Sequence, residues 1–209
     1  DEAKRSGALV VLNHTHCEFC PWEWGFDVES DAVEVWNGPW TERNDRALNW
    51  WQSRLAAGER LVAVGGSDVH RPHPYVRHAM PTTWVYADSR TSAGILEGVR
   101  KGHVFLSYAP DGPTIDLKIG TCIMGEAYEQ GSGEDGEARL SLAGLLKGDT
   151  VKIVSALGEE QRYTAEKDGE CSYSWPVLAR KFYRVEVWRY FPEADRELLA
   201  ALGNPVYLE

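Results

Sequence analysis

The chain has 209 residues, 43% of them apolar and 26% charged, which suits one large or two small buried cores and argues against disorder. A net charge of -10 argues against a nucleic-acid backbone as partner, because binding it needs clustered Lys and Arg. No apolar run approaches the roughly 20 residues of a membrane span, so a membrane is not an expected partner either.

The chain opens Asp1-Glu2-Ala3-Lys4 without Met, which points to a segment removed upstream. Cytoplasmic placement is favoured, with a lost signal peptide left open. The run Ala8-Leu9-Val10-Val11-Leu12 suits a strand buried on both faces, as in a parallel sheet. Four Cys follow in the chain, Cys17, Cys20, Cys122 and Cys171, and the first two form a lone C-x-x-C. Free thiols in a reducing compartment are the plainer reading; a redox or metal role is the other.

Residues 32–36 (Ala-Val-Glu-Val-Trp) read as a second strand. Thr41 offers a helix N-cap, Ala47, Leu48, Trp51 and Leu55 fall at helical spacing, and Gly58 supplies the stop. Leu61 to Val64 is a third strand that ends on Gly65-Gly66. Residues 83–86 give a fourth. A helix over 92–101 follows, with Ile95, Leu96 and Val99 on one face and Gly102 closing it; residues 104–106 give a fifth strand. Strands alternating with helices predict a βα architecture on a parallel sheet.

Ala109-Pro110-Asp111-Gly112-Pro113 is a turn-rich break, and strands dominate beyond it. They are expected near 115–119, 138–142, 150–157, 161–164, 171–175 and 182–190, with turns at Gly131-Ser132-Gly133 and Asp168-Gly169. Tyr183, Val185 and Val187 alternate with Arg184 and Glu186, as in a half-buried strand. A short helix is expected over 194–202 and a last strand over 206–208. The reading is thus a βα domain over residues 1–108 and a small antiparallel β-sandwich over 109–209.

All six His lie before residue 104, which places any metal chemistry in the first half. Asp68 and His70 stand two apart at a strand end, where alternation sends residues i and i+2 to one side. His14 and His16 stand in the same relation after the strand over 8–12. Sites in βα folds gather at the carboxyl ends of strands, so three imidazoles and a carboxylate can meet there. That donor set suits zinc, manganese or iron. Taken singly, each such residue is more often a cap or a hydrogen-bond partner. A zinc knot of Cys17, Cys20, His14 and His16 is a weaker reading, because the spacing is compressed.

The run Gly66-Ser67-Asp68-Val69-His70 is similar to that of PHP-domain metal-dependent phosphoesterases (polymerase-and-histidinol-phosphatase type). With Asn13-His14, Glu34-Val35-Trp36-Asn37-Gly38, Asn44 and Gly203-Asn204-Pro205, the chain resembles the CehA/McbA-like branch of that family. The resemblance implies an α/β fold: the C-terminal half of a (β/α)7 barrel followed by a β-sandwich. It implies divalent metal ions, with His14, Asp68 and His70 as metal-binding and catalytic residues. His16 is an added candidate ligand, where the family usually has a Pro nearby. Glu34, Asn37 and Arg71 are candidate substrate contacts, with a fold-supporting hydrogen bond the alternative for Glu34. A small phosphate ester is the implied substrate, with carboxyl or carbamate esters and a non-catalytic binding module as alternatives. The family's opening His-x-His is absent, so catalysis is expected to be incomplete in this chain. Half a barrel leaves open edges, so an oligomer or a partner carrying the N-terminal part is expected.

Overall fold

The strand over 32–37 sits at the centre of a three-stranded parallel sheet in the computed structural model, which describes residues 2–20, 22–74, 76–130 and 136–209. A short helix α1 (Glu2–Arg5) precedes β1 (Val11–Leu12). β2 (Ala32–Asn37) pairs in parallel with β1 on one side and with β3 (Val62–Gly66) on the other. β2 is buried on both faces along residues 32–36, the charged Glu34 included.

Helix α2 (Glu42–Ala57) connects β2 to β3 and buries Leu48, Trp51 and Leu55. Burial of each such Leu contributes roughly 1.5–3 kcal/mol. The Trp51 indole N–H also donates to the Leu61 carbonyl at 2.7 Å, which fixes the helix to the start of β3. Thr41 occupies the N-cap, but its hydroxyl makes no capping bond. Asn44 does the tying instead: its side-chain amide donates to the Asn37 and Pro39 carbonyls. Gly58 ends the helix in the left-handed region, at φ 104°, which a residue with a Cβ adopts only at a cost.

After β3 antiparallel pairing takes over, apart from a short parallel pair between residues 127–128 and 207–208. β4 (Thr82–Val85) runs antiparallel to β5 (Val104–Ser107), with α3 (Ser92–Arg100) between them. The Thr91 hydroxyl caps α3 by accepting the Gly94 N–H at 3.1 Å. Val99 of α3 is buried, whereas Ile95 and Leu96 are exposed. The remaining strands are β6 (Thr114–Ile119), β7 (Cys122–Ile123), β8 (Ala127–Tyr128), β9 (Glu137–Leu145), β10 (Thr150–Ser155), β11 (Gly158–Thr164), β12 (Gly169–Pro176), β13 (Phe182–Phe191), β14 (Arg196–Gly203) and β15 (Val206–Leu208). They build an eight-stranded sheet, β11-β10-β13-β14-β5-β4 with β15 and β8 attached, and a four-stranded sheet, β12-β9-β6-β7. The expected Gly131-Ser132-Gly133 turn lies outside the described residues.

The larger sheet has a core on each face. On one, Tyr183, Val185 and Val187 of β13 pack with Ile115, Leu117 and Leu140 of the smaller sheet. On the other, Val104, Leu106, Phe182 and Leu202 pack with the parallel layer. The alternating polar residues of β13 therefore face protein rather than water. Arg184 and Glu186 are buried and paired at 2.7 Å, and the Arg184 Nε donates to Gln52 of α2 at 2.8 Å.

Two expectations need correction. Among the described residues the chain is mostly β, with 41% strand, 14% helix and three helices, and they form neither a (β/α)7 barrel nor any closed barrel. The reason lies at the outer edge of β3. Side chains satisfy its backbone groups there: Asn204 binds both the N–H and the carbonyl of Ala63, and Thr83 does the same for Gly65. Among the described residues no backbone ladder extends the parallel sheet, and β5 pairs with β14 in the other sheet. The second correction is the helix expected over 194–202, which is strand β14. Its Ala and Leu residues favour helix locally, but Leu199 to Gly203 are buried between β13 and β5, and a ladder satisfies a backbone in that position.

Candidate functional site

The carboxyl ends of β1, β2 and β3 lie side by side and carry most of the residues singled out in the sequence. His14, just past β1, adopts φ 57°, and Asp68, just past β3, adopts φ 53°. Left-handed backbone is uncommon for residues other than Gly and costs on the order of 1 kcal/mol, so it concentrates where function holds it.

Glu34 reaches from β2 to His14. Its Oε2 accepts the His14 backbone N–H at 3.1 Å and lies 3.3 Å from the His14 Nδ1. Its Oε1 accepts the Asn37 amide at 3.1 Å. Glu34 is only 9% exposed, and these partners are what make a carboxylate tolerable there. The Gly65-Gly66 pair makes room: a Cβ on Gly66 would stand 3.3 Å from Glu34 Oε1, and one on Gly65 would stand 3.0 Å from the Trp36 carbonyl. His14 is held further by its carbonyl, which accepts the Cys17 and Trp22 N–H groups.

Past β3, Asp68 Oδ1 and His70 Nε2 form a 2.8 Å contact, with His70 82% exposed. The structure thus brings together His14, Glu34 and Asn37 as one set and Asp68 and His70 as another. Among the described residues, no group of three or more His, Cys, Asp or Glu is arranged to hold a metal ion. His16 borders the first set, lining a small cavity with it, but joins neither pair. Its Nδ1 meets the Thr15 hydroxyl at 3.0 Å, and its ring stacks on Phe26 at 5.9 Å beside Trp50. Arg71 is exposed and lines a cleft of about 560 Å³ with His70, His73, Arg77 and His78. His103 lies apart, 3.5 Å from Glu126.

A cavity of about 20 Å³ lies against His14, Glu34 and Asn37, enough for a water molecule or an ion. His16, Cys17 and Arg43 also line it, with Thr15, Val35, Asn44 and Ala47. Nothing in the sequence marks Arg43, which reads as one more polar residue in the first turn of α2; its buried Nε has no hydrogen-bond partner. Cys17 and Cys20 bring their sulfurs to 2.8 Å. Burial favours the neutral Cys17 thiol, but hydrogen bonds from Cys20 and the Phe19 backbone, with the Arg43 charge, hold it below the ordinary thiol range. The contact with Cys17, burial and the Asp68 charge push Cys20 up to about 11.

Burial and then the Arg46 guanidinium hold the His16 imidazole below its ordinary value. The unfolded chain therefore takes up this proton more readily than the folded one. The stability that neutral His16 contributes is present above about pH 6.5 and is lost as pH falls from there through the folded value. Chemical denaturation across pH 7.5 to 5 is expected to show this fall, and His16→Phe is expected to flatten it; an unchanged slope in the variant would contradict the assignment.

No helix among the described residues is long and apolar enough to cross a membrane. Comparison with family models, curated proteins and solved structures gives no match for this chain.

Proposed function

We propose that the ends of β1, β2 and β3 carry part of a divalent-metal-dependent hydrolytic centre acting on small phosphate esters. The observation that carries this reading is the placement of His14 and Asp68: each stands just past a strand of one parallel sheet, each is left-handed, and each is paired with a complementary group, Glu34 or His70. The likeness of Gly66-Ser67-Asp68-Val69-His70 to the phosphoesterase run supports the same reading.

The chemistry of the donors fits zinc, manganese or iron: imidazole nitrogens and carboxylate oxygens, with Asn37 and Glu34 orienting them. Their number does not, since the described residues form no three-donor group. The two pairs stand as half-sites whose further donors come from elsewhere, either outside the described residues or on a partner polypeptide or second copy. Within this chain, Glu34 fixes the position and ring of His14, while His70 and Arg71 present an exposed, donor-rich rim suited to an anionic group.

Equilibrium dialysis against zinc or manganese is expected to show binding that Asp68→Ala weakens by about 10- to 100-fold. Hydrolysis of an aryl phosphodiester is expected to fall with it; equal metal binding by the variant would refute the role of Asp68. A second reading, a non-catalytic binding module, is favoured by the loop after β1, where Phe19 is 90% and Trp24 76% exposed. Metal binding without hydrolysis of phosphate, carboxyl or carbamate esters would select it.

A further inference from the structure

The Cys17-Cys20 pair lies beside the His14 half-site but makes no use of it. The two sulfurs are 2.8 Å apart, and the covalent S–S bond of about 2.05 Å requires only a small further approach. The two cysteines differ in access: Cys17 is buried and Cys20 is exposed. The Cys20 backbone N–H donates to the Cys17 sulfur at 3.3 Å, so negative charge on that sulfur is met by a fixed donor. Arg43 lines the same small cavity as Cys17 and adds positive charge nearby. The turn that holds the pair is itself pinned, because the Cys17 N–H donates to the His14 carbonyl at 3.2 Å.

From the closeness of these sulfurs, their unequal exposure and the donor aimed at the inner one, we propose that Cys17 and Cys20 form a reversible dithiol–disulfide site that exchanges with low-molecular-weight disulfides, with Cys20 as the entry sulfur and Cys17 as the resolving sulfur. Cys20, the sulfur open to solvent, attacks one sulfur of the small disulfide as its thiolate. The Cys17 contact, burial and the Asp68 charge keep that form scarce, so the exchange quickens as pH rises. A new S–S bond forms, the old one breaks, and the first small thiol leaves with its electron pair. The Cys17 thiolate then attacks Cys20 and expels the second small thiol. Two protein thiols are oxidised, one small disulfide is reduced to two thiols, and the two protons pass from the protein to the released thiolates. In the reverse direction a small thiol attacks Cys20, and Cys17 is the leaving sulfur. Its hydrogen-bonded thiolate is a good leaving group, which keeps the disulfide reducible. The remaining cysteines serve as internal references: Cys122 donates to the Ala127 carbonyl, and Cys171 lies on β12. The proposal does not depend on a metal ion or on hydrolysis at the strand ends.

The test is incubation of the whole chain with oxidised glutathione, followed by alkylation and peptide mass measurement. The wild type is expected to yield a peptide with Cys17 and Cys20 joined, two hydrogens lighter and free of glutathione. Cys17→Ser is expected to trap glutathione on Cys20. Cys20→Ser is expected to react at Cys17 at least about tenfold more slowly than the wild type forms its disulfide, because the inner sulfur is covered. In urea Cys17→Ser and Cys20→Ser are expected to take up glutathione at nearly equal rates, a comparison that needs neither variant to fold. Glutathione retained on the native wild type at Cys20, the absence of reaction at both sulfurs, or entry through Cys17 would each overturn the proposal.

Discussion

Replacing Asn204 with alanine is expected to destabilise the protein by about 3–5 kcal/mol, since the change orphans two buried backbone groups at about 1–3 kcal/mol each and leaves a small cavity. Asn204 is 1% exposed. Its Oδ1 accepts the Ala63 N–H at 2.8 Å, and its amide donates to the Ala63 and Val104 carbonyls, both at 2.9 Å. One side chain therefore closes the outer edge of β3 and ties the parallel layer to β5, across 141 positions of sequence. Alanine supplies neither donor nor acceptor, and Ala63, itself fully buried, has no water to turn to. Urea denaturation should show the midpoint falling with an unchanged slope. A loss below about 1 kcal/mol would mean that the edge is satisfied in another way.

Arg189→Ala is expected to cost a similar amount, about 3–5 kcal/mol, for a different reason: it leaves a buried carboxylate without its countercharge. Arg189 grips Asp149 from two nitrogens, Nε at 3.0 Å from Oδ1 and Nη2 at 2.7 Å from Oδ2, and Nη2 also donates to the Gly144 carbonyl at 2.8 Å. Asp149 is buried and accepts the Leu146 N–H at 2.8 Å, so the pair fixes the connection between β9 and β10. The double variant Arg189→Met with Asp149→Asn removes both charges together. It is expected to lose less than the sum of the two single changes, because no uncompensated charge remains. Additive losses in a denaturation cycle would count against a coupled buried pair.

Local signals in the sequence read well where local forces decide. The largely apolar stretch at 32–36, the helical spacing of Leu48, Trp51 and Leu55, and the stop at Gly58 all specify what they form. The barrel did not follow from them, because the sequence does not say what meets the outer edge of β3. Asn204 and Thr83 meet it with side chains, and β5 is taken up by β14. In β14, helix-favouring residues were overruled by a central position in a sheet. The alternation in β13 was legible, but not that its polar face lies against α2. At the site, spacing placed His14, Asp68 and His70 at neighbouring strand ends, and the resemblance added Glu34. It did not fix their directions, which the left-handed turns at His14 and Asp68 set. Arg43, on the helix that follows β2, carries no pattern that would mark it.

The hydrolytic centre is tested most directly by the rate of aryl phosphodiester hydrolysis measured with manganese or zinc supplied and then withdrawn by a chelator, in the wild type and in Asp68→Ala. The expected result is a rate that disappears with the ion, returns when the ion is restored, and is lower in Asp68→Ala by about 10- to 100-fold at limiting metal. A rate that survives chelation, or one equal in the two proteins, would contradict it.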